Sequence, residues 1–119
     1  MSQSLQPDLE VRVLSATSVC GAGFKESSLA AGMLRRPHFI GCDAGSTDPG
    51  PAPLGTGTPA FPRRAVKRDL RLMMKAGLQG GIPLLIGSAG TAGGEPHLRS
   101  CGTSFSKSRA RRGCASASR

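Results

Sequence analysis

The 119-residue chain has no tryptophan and no tyrosine, and its four phenylalanines are scattered. Base-stacking platforms are therefore missing, which removes the usual companion of positive charge in proteins that read RNA or single strands. No apolar run approaches the roughly 18–20 residues needed to span a bilayer. The opening "MSQSLQPDLEVRVL" also lacks the basic start and apolar stretch of a secretory signal. A cytoplasmic protein without a membrane partner is the expectation. Cys20, Cys42, Cys101 and Cys114 show neither C-x-x-C spacing nor a paired histidine pattern. Reduced thiols are expected in place of a disulfide frame or a zinc site. The seventeen glycines cluster without a fixed period, which excludes collagen-like and solenoid architectures.

What is present is positive charge, and it is unevenly spread. Formal net charge is +9, but residues 1–98 hold ten Lys/Arg against seven Asp/Glu. Residues 99–119 add six Lys/Arg, no acid and seven Ser or Thr. The basicity that would suggest a polyanionic partner is thus local to the last segment.

Ahead of that segment the chain reads as repeated strand–loop units. "VRVLSAT" (Val11–Thr17) alternates and runs into the small-residue turn "SVCGAGF". "KESSLAAGMLRR" (Lys25–Arg36) places Leu29, Met33 and Leu34 on a short helical stripe, with Arg35 and Arg36 at its C-terminal end. "HFIGCDAG" (His38–Gly45) is a second apolar run, followed by a long Gly/Pro loop over Ser46–Pro62. "RRAVKRDLRLMMKAGLQGG" predicts the clearest helix, with Val66, Leu70, Met73 and Leu78 on one face and a stop at Gly80-Gly81. "IPLLIGSAG" (Ile82–Gly90) is continuously apolar, as in a strand buried on both faces, and empties into another Gly-rich loop. The pattern predicts an α/β fold: a Rossmann-like parallel βαβαβ fragment, incomplete, with a disordered basic C-terminal tail. The domain limits follow as a short extension over residues 1–10, a partial α/β unit over 11–98 and the tail over 99–119. Three strands and two helices leave one sheet face uncovered, so a marginal or aggregation-prone chain is expected.

The tail has a second reading. Ser/Arg/Cys/Ala-rich strings arise when a GC-rich gene is translated out of frame. With TCN serine codons, a one-base shift makes every serine Phe, Leu, Ile or Val, and every cysteine Leu, Met or Val. Apolar residues then fall at the places of Ser100, Cys101, Ser104, Phe105, Ser106 and Ser108, which is amphipathic-helix spacing. Cys114, Ser116 and Ser118 become apolar with the period of a strand. Residues from about Arg99 are therefore read as a frameshift product; a functional nucleic-acid arm is the competing reading, and a nucleic-acid partner is not expected.

In parallel sheets, ligands bind outside the carboxyl ends of the strands, and all three Gly-rich loops are placed there. Asp43 and Asp48 flank Ser46 and Thr47 in "CDAGSTDPG". A strand-tip carboxylate suits a base or a hard-metal ligand, whereas Asp and Ser equally cap their own turns. Gly87, Ser88, Gly90, Gly93 and Gly94 could offer backbone N–H groups to a phosphate, as could Gly21 and Gly23. Neither stretch completes a dinucleotide fingerprint or a P-loop, so simple tight turns stand as the other reading. His97, beside Glu95, is a candidate acid–base or metal partner of Asp43. His38 heads a strand and reads as structural. Ser88 lacks the surroundings of a hydrolase nucleophile, and Cys42 reads as a small buried residue. No cofactor and no metal is assigned.

The strings "VRVLSAT", "GAGF", "FIGCDAGSTDPGPAPLGTG", "RRAVKRDL" and "GIPLLIGSAGTAGGEPHL" together resemble the amino-terminal part of the acyclic terpene utilisation AtuA-like family. The resemblance covers about Val11–Leu98, and the D-A-G-S-T-D-x-G-P string is its most specific piece. It implies an intracellular bacterial protein acting in the breakdown of terpenes such as citronellol and geraniol, on a small organic or acyl substrate. Members of the family are several times longer. The resemblance therefore implies a truncated, inactive piece, with a non-catalytic nucleotide- or acyl-binding subunit as the alternative.

Overall fold

Short apolar runs broken by glycine set the order of elements. The computed structural model describes residues 10–45 and 51–110, with side chains of the last helix as far as Thr103. In chain order the elements are β1 (Val13–Ser15), α1 (Glu26–Met33), β2 (Phe39–Gly45), α2 (Ala52–Thr56), α3 (Arg63–Gly80), β3 (Leu84–Thr91) and α4 (Glu95–Ala110). The strands form one parallel sheet in the order β1-β2-β3, the incomplete Rossmann-like arrangement expected of a βαβαβ chain.

Strand alternation divides the two faces. Ile40, Cys42 and Ala44 are buried, together with Ala89, under a layer in which α1 packs on α3, and α3 packs on α4. Leu14, Leu84 and Ile86 pack against the same core. The opposite parity carries Val13, Gly41, Asp43, Leu85 and Gly87, and there Val13 and Leu85 are 54% and 55% exposed. β3 is thus covered on one side only. Its unbroken apolar run reflects a strand whose second face meets solvent among the described residues, not a strand buried on both faces.

The helices sharpen two sequence expectations. In α3, Val66, Leu70 and Met73 face inward as expected, but the stripe continues through buried Gly77 while Leu78 is 72% exposed. Leu78 lies about a third of a turn around from the stripe at helical spacing. α3 ends at Gly81 in the left-handed conformation, φ 64°. In α1, Leu29 is buried, but Leu34 falls past the last helical turn and is exposed. The helix stops there because the Arg35 and Arg36 amides donate to the Gly32 and Met33 carbonyls in a turn, Arg36 with φ 52°, ahead of Pro37.

Two segments expected to be irregular are helical. α2 forms inside the Gly/Pro loop, started by Pro51 and ended by left-handed Gly57. α4 begins at Glu95 and continues to Ala110, so the expectation of a disordered tail is corrected for residues 99–110. The composition boundary at Leu98–Arg99 falls inside that helix. Buried residues lie on both sides of it: His97 before, and Cys101 after, in the hydrophobic core. Residues 111–119, with Cys114, lie outside the described residues.

Candidate functional site

The pairing of β2 with β3 breaks at its carboxyl end. Asp43 faces Gly87 in register, and the next pair is Gly45 with Thr91. Ser88, Ala89 and Gly90 therefore stand against Ala44 alone, a bulge that bends the strand. Its backbone is unusual: Ser88 has φ 48°, Gly90 73° and Thr91 92°. A positive φ at the β-branched Thr91 is a genuine outlier, of a kind that costs about 1–3 kcal/mol and persists only when neighbours hold it. Thr91 is buried, and its Oγ1 accepts the Ala60 amide at 2.8 Å, which supplies part of that hold.

The rim built around this bulge brings several candidate residues together. Asp43 and Ser88 are exposed side by side, and Gly45 lies so close to Ser88 that a Cβ there would collide with the serine. A Cβ added at Gly93 would rest 3.4 Å from the Ser88 Cα, and the Gly93 amide donates to the Ala89 carbonyl at 3.2 Å. Asp43 Oδ1 accepts the Gly45 amide at 2.8 Å, the turn-capping role, leaving its second oxygen at the rim. Gly87 is exposed with open space where a Cβ would stand. Ser46, Thr47 and Asp48 lie outside the described residues.

Two expected members of the site are placed elsewhere. His97 is in the first turn of α4, fully buried, and its Nε2 is 2.9 Å from the Pro53 carbonyl, so Nε2–H donates and ties α4 to α2. Its Nδ1 is buried without a hydrogen-bond partner among the described residues. The pairing of His97 with Asp43 is therefore corrected: the imidazole is engaged inside the fold. Gly94 lies against that ring, 3.5 Å from its Cδ2 to an added Cβ, and belongs to the same internal packing.

Gly21 and Gly23 form the anion-binding concavity that the sequence suggests, with φ 108° and 83°. It is already filled. Oδ2 of Asp69 accepts both amides at 2.9 Å, while Oδ1 takes Arg68 Nη1 at 2.8 Å. These two glycines hold an internal carboxylate where a ligand phosphate was expected. Arg68 also donates to the Phe24 carbonyl at 2.9 Å and sits 5.4 Å from the Phe24 ring centroid. Sequence reasoning passed over Asp69, although a signal exists: it is the sole acid in α3 and lies beside the inward stripe. His38 is structural as expected: its Nδ1 accepts the Arg12 amide at 3.0 Å.

An open groove of about 480 Å³ runs between α1 and α3, lined by Leu29, Met33, Lys75 and Gly80 among others. It includes no residue of the rim. Among the described residues no group of three or more His, Cys, Asp or Glu could hold a metal ion, and no helix is long and apolar enough to cross a membrane. Comparison of the chain with family models, with curated proteins and with solved structures gives no match in any of the three.

Proposed function

We propose that the carboxyl-end rim binds a small organic or acyl ligand, and that residues 11–98 are part of an AtuA-like unit acting in acyclic terpene breakdown. The observation that carries the binding reading is the strained bulge at Ser88–Thr91, facing an exposed strand-tip carboxylate. Strain of this kind is retained where the backbone must hold a defined shape, and rims of parallel sheets are where ligands dock. The family reading rests on the residue strings alone.

A non-catalytic binding role is favoured over turnover by the chain as it stands. Asp43 is exposed at the described rim, and His97, its expected acid–base partner, is buried and tied to Pro53. General acid–base chemistry needs groups within hydrogen-bond reach of the reacting proton. Titration calorimetry of the purified chain with a branched C10 acyl-CoA tests the reading. Saturable heat that Asp43→Asn and Ser88→Ala weaken about tenfold, a loss of roughly 1.4 kcal/mol, is the expected result; no heat, or heat indifferent to both substitutions, overturns it. Resequencing the locus around codon 99 tests the frameshift reading of the tail. An extra or missing base supports it, and serine codons of the AGY type oppose it.

A further inference from the structure

Helix α3 carries much of its positive charge in one line. Arg64, Lys67, Arg71 and Lys75 are three, four and four residues apart, so they stack along one edge of the helix in a row about 16 Å long. Arg64, Arg71 and Lys75 are exposed. None of the four makes an ion pair or a side-chain hydrogen bond among the described residues. The sole acid of the helix, Asp69, faces inward and is held by Arg68 and the amides of Gly21 and Gly23. The row therefore repels itself, because like charges three and four residues apart destabilise a helix. Arg63 and Arg64 also stand in the first turn, against the positive end of the helix dipole, with no acid in that turn. Local rules broken in this way, with nothing inside the chain to offset them, mark a surface shaped for an external anion.

What adjoins the row narrows the class of anion. Lys75 also lines the open groove between α1 and α3, whose walls include Leu29, Met33, Leu72 and Ala76. Leu78, 72% exposed, continues the line of cations three residues past Lys75. We propose that the α3 row and the α1–α3 groove together dock an acidic amphipathic helix from a partner protein. Its carboxylates, three or four residues apart, lie against Lys67, Arg71 and Lys75, and its aliphatic edge fills the groove. Glu26, the one acid among the groove's lining residues, keeps those carboxylates on the α3 side. A nucleic-acid strand would leave the groove unused, and the chain has neither Trp nor Tyr to stack on its bases. A membrane surface would need the apolar face of α3, but Leu70 and Met73 are buried in the core.

The test is fluorescence anisotropy of the full chain with a labelled helical peptide of about 18 residues, carrying Glu at every third or fourth position and Leu along one flank. A scrambled peptide of the same composition controls for charge alone. The ordered peptide should bind saturably, about tenfold tighter than the scrambled one, and more weakly as salt rises. Lys67→Gln with Arg71→Gln should weaken binding about tenfold. Ala30→Gln, which puts an amide into the groove, should weaken it about threefold. Replacing Lys107, Arg109, Arg111 and Arg112 with Gln, outside the row, should leave the preference for the ordered peptide intact. No saturable binding, equal affinity for the scrambled peptide, or indifference to the α3 pair overturns the proposal. So does tighter binding of a single-stranded oligonucleotide or of phosphatidylglycerol vesicles that the same α3 pair governs. Removing two repelling charges should not lower the melting temperature. A second pair, Arg64→Gln with Lys75→Gln, should weaken binding to a similar degree, which keeps the test decisive if one variant fails to fold.

Discussion

A methyl group on Gly90 would stand 2.6 Å from both the Cβ and the carbonyl oxygen of His97. The bulge and the first turn of α4 are thus locked together by the absence of a side chain. Gly90 has φ 73°, so alanine there meets backbone strain as well as collision. Gly90→Ala should cost about 3 kcal/mol or more in denaturant unfolding. Gly87→Ala, with open space around it, should cost under about 1 kcal/mol. Equal costs would mean that the bulge is not held as described.

Removing Asp69 should be more damaging than its place on a basic helix suggests. Asp69→Ala leaves the part-buried Gly21 and Gly23 amides without their acceptor, and a loss of about 2–4 kcal/mol is expected. Asp69→Asn keeps an acceptor oxygen and should recover part of that. Arg68, 45% exposed at its side chain, should cost no more than about 1 kcal/mol when truncated. Chemical denaturation of the three variants checks the order.

The parallel βαβαβ pattern and the positions of most elements were legible in the sequence, because period-two runs such as "FIGCDAG" and the stripe of α3 report their own faces. The rim was legible in the same way, since glycine clusters mark strand ends. Asp69 and Thr91 were harder to see. Each owes its importance to a partner far along the chain, Gly21 and Gly23 for one and Ala60 for the other, and local pattern does not encode such pairings. The helix through Arg99–Ala110 was missed for a related reason: serine and arginine give no apolar stripe, yet Cys101 finds the core through tertiary packing.

Stability should decline in alkali. Cys20 and Cys101 have pKa values raised above the ordinary thiol value of 9.0. Near and above that pH the unfolded chain releases these protons while the folded chain keeps them, so rising pH favours unfolding. Cys42 has its pKa lowered and acts in the opposite sense, but only below about pH 9, where its unfolded form is still protonated. The melting temperature should fall between pH 9 and pH 10.5, by less in Cys101→Ala, as scanning calorimetry would read.

Truncation should divide residues 99–119 in two. Ending the chain after Leu98 removes Cys101 from the core and most of α4, and cooperative unfolding should disappear. Ending it after Ala110 should leave the melting temperature within a few degrees of the full chain, about the shift that 1 kcal/mol produces. Leu85→Lys, on the open sheet face, should reduce aggregation in light scattering without lowering stability by more than about 0.5 kcal/mol.

The grip of Asp69 on Gly21 and Gly23 makes the first loop self-sufficient. Its amides find their negative charge within the chain and need none from outside. On the proposed binding role, any adaptation to an incoming molecule falls to the other two loops, and this one serves as a preorganised wall.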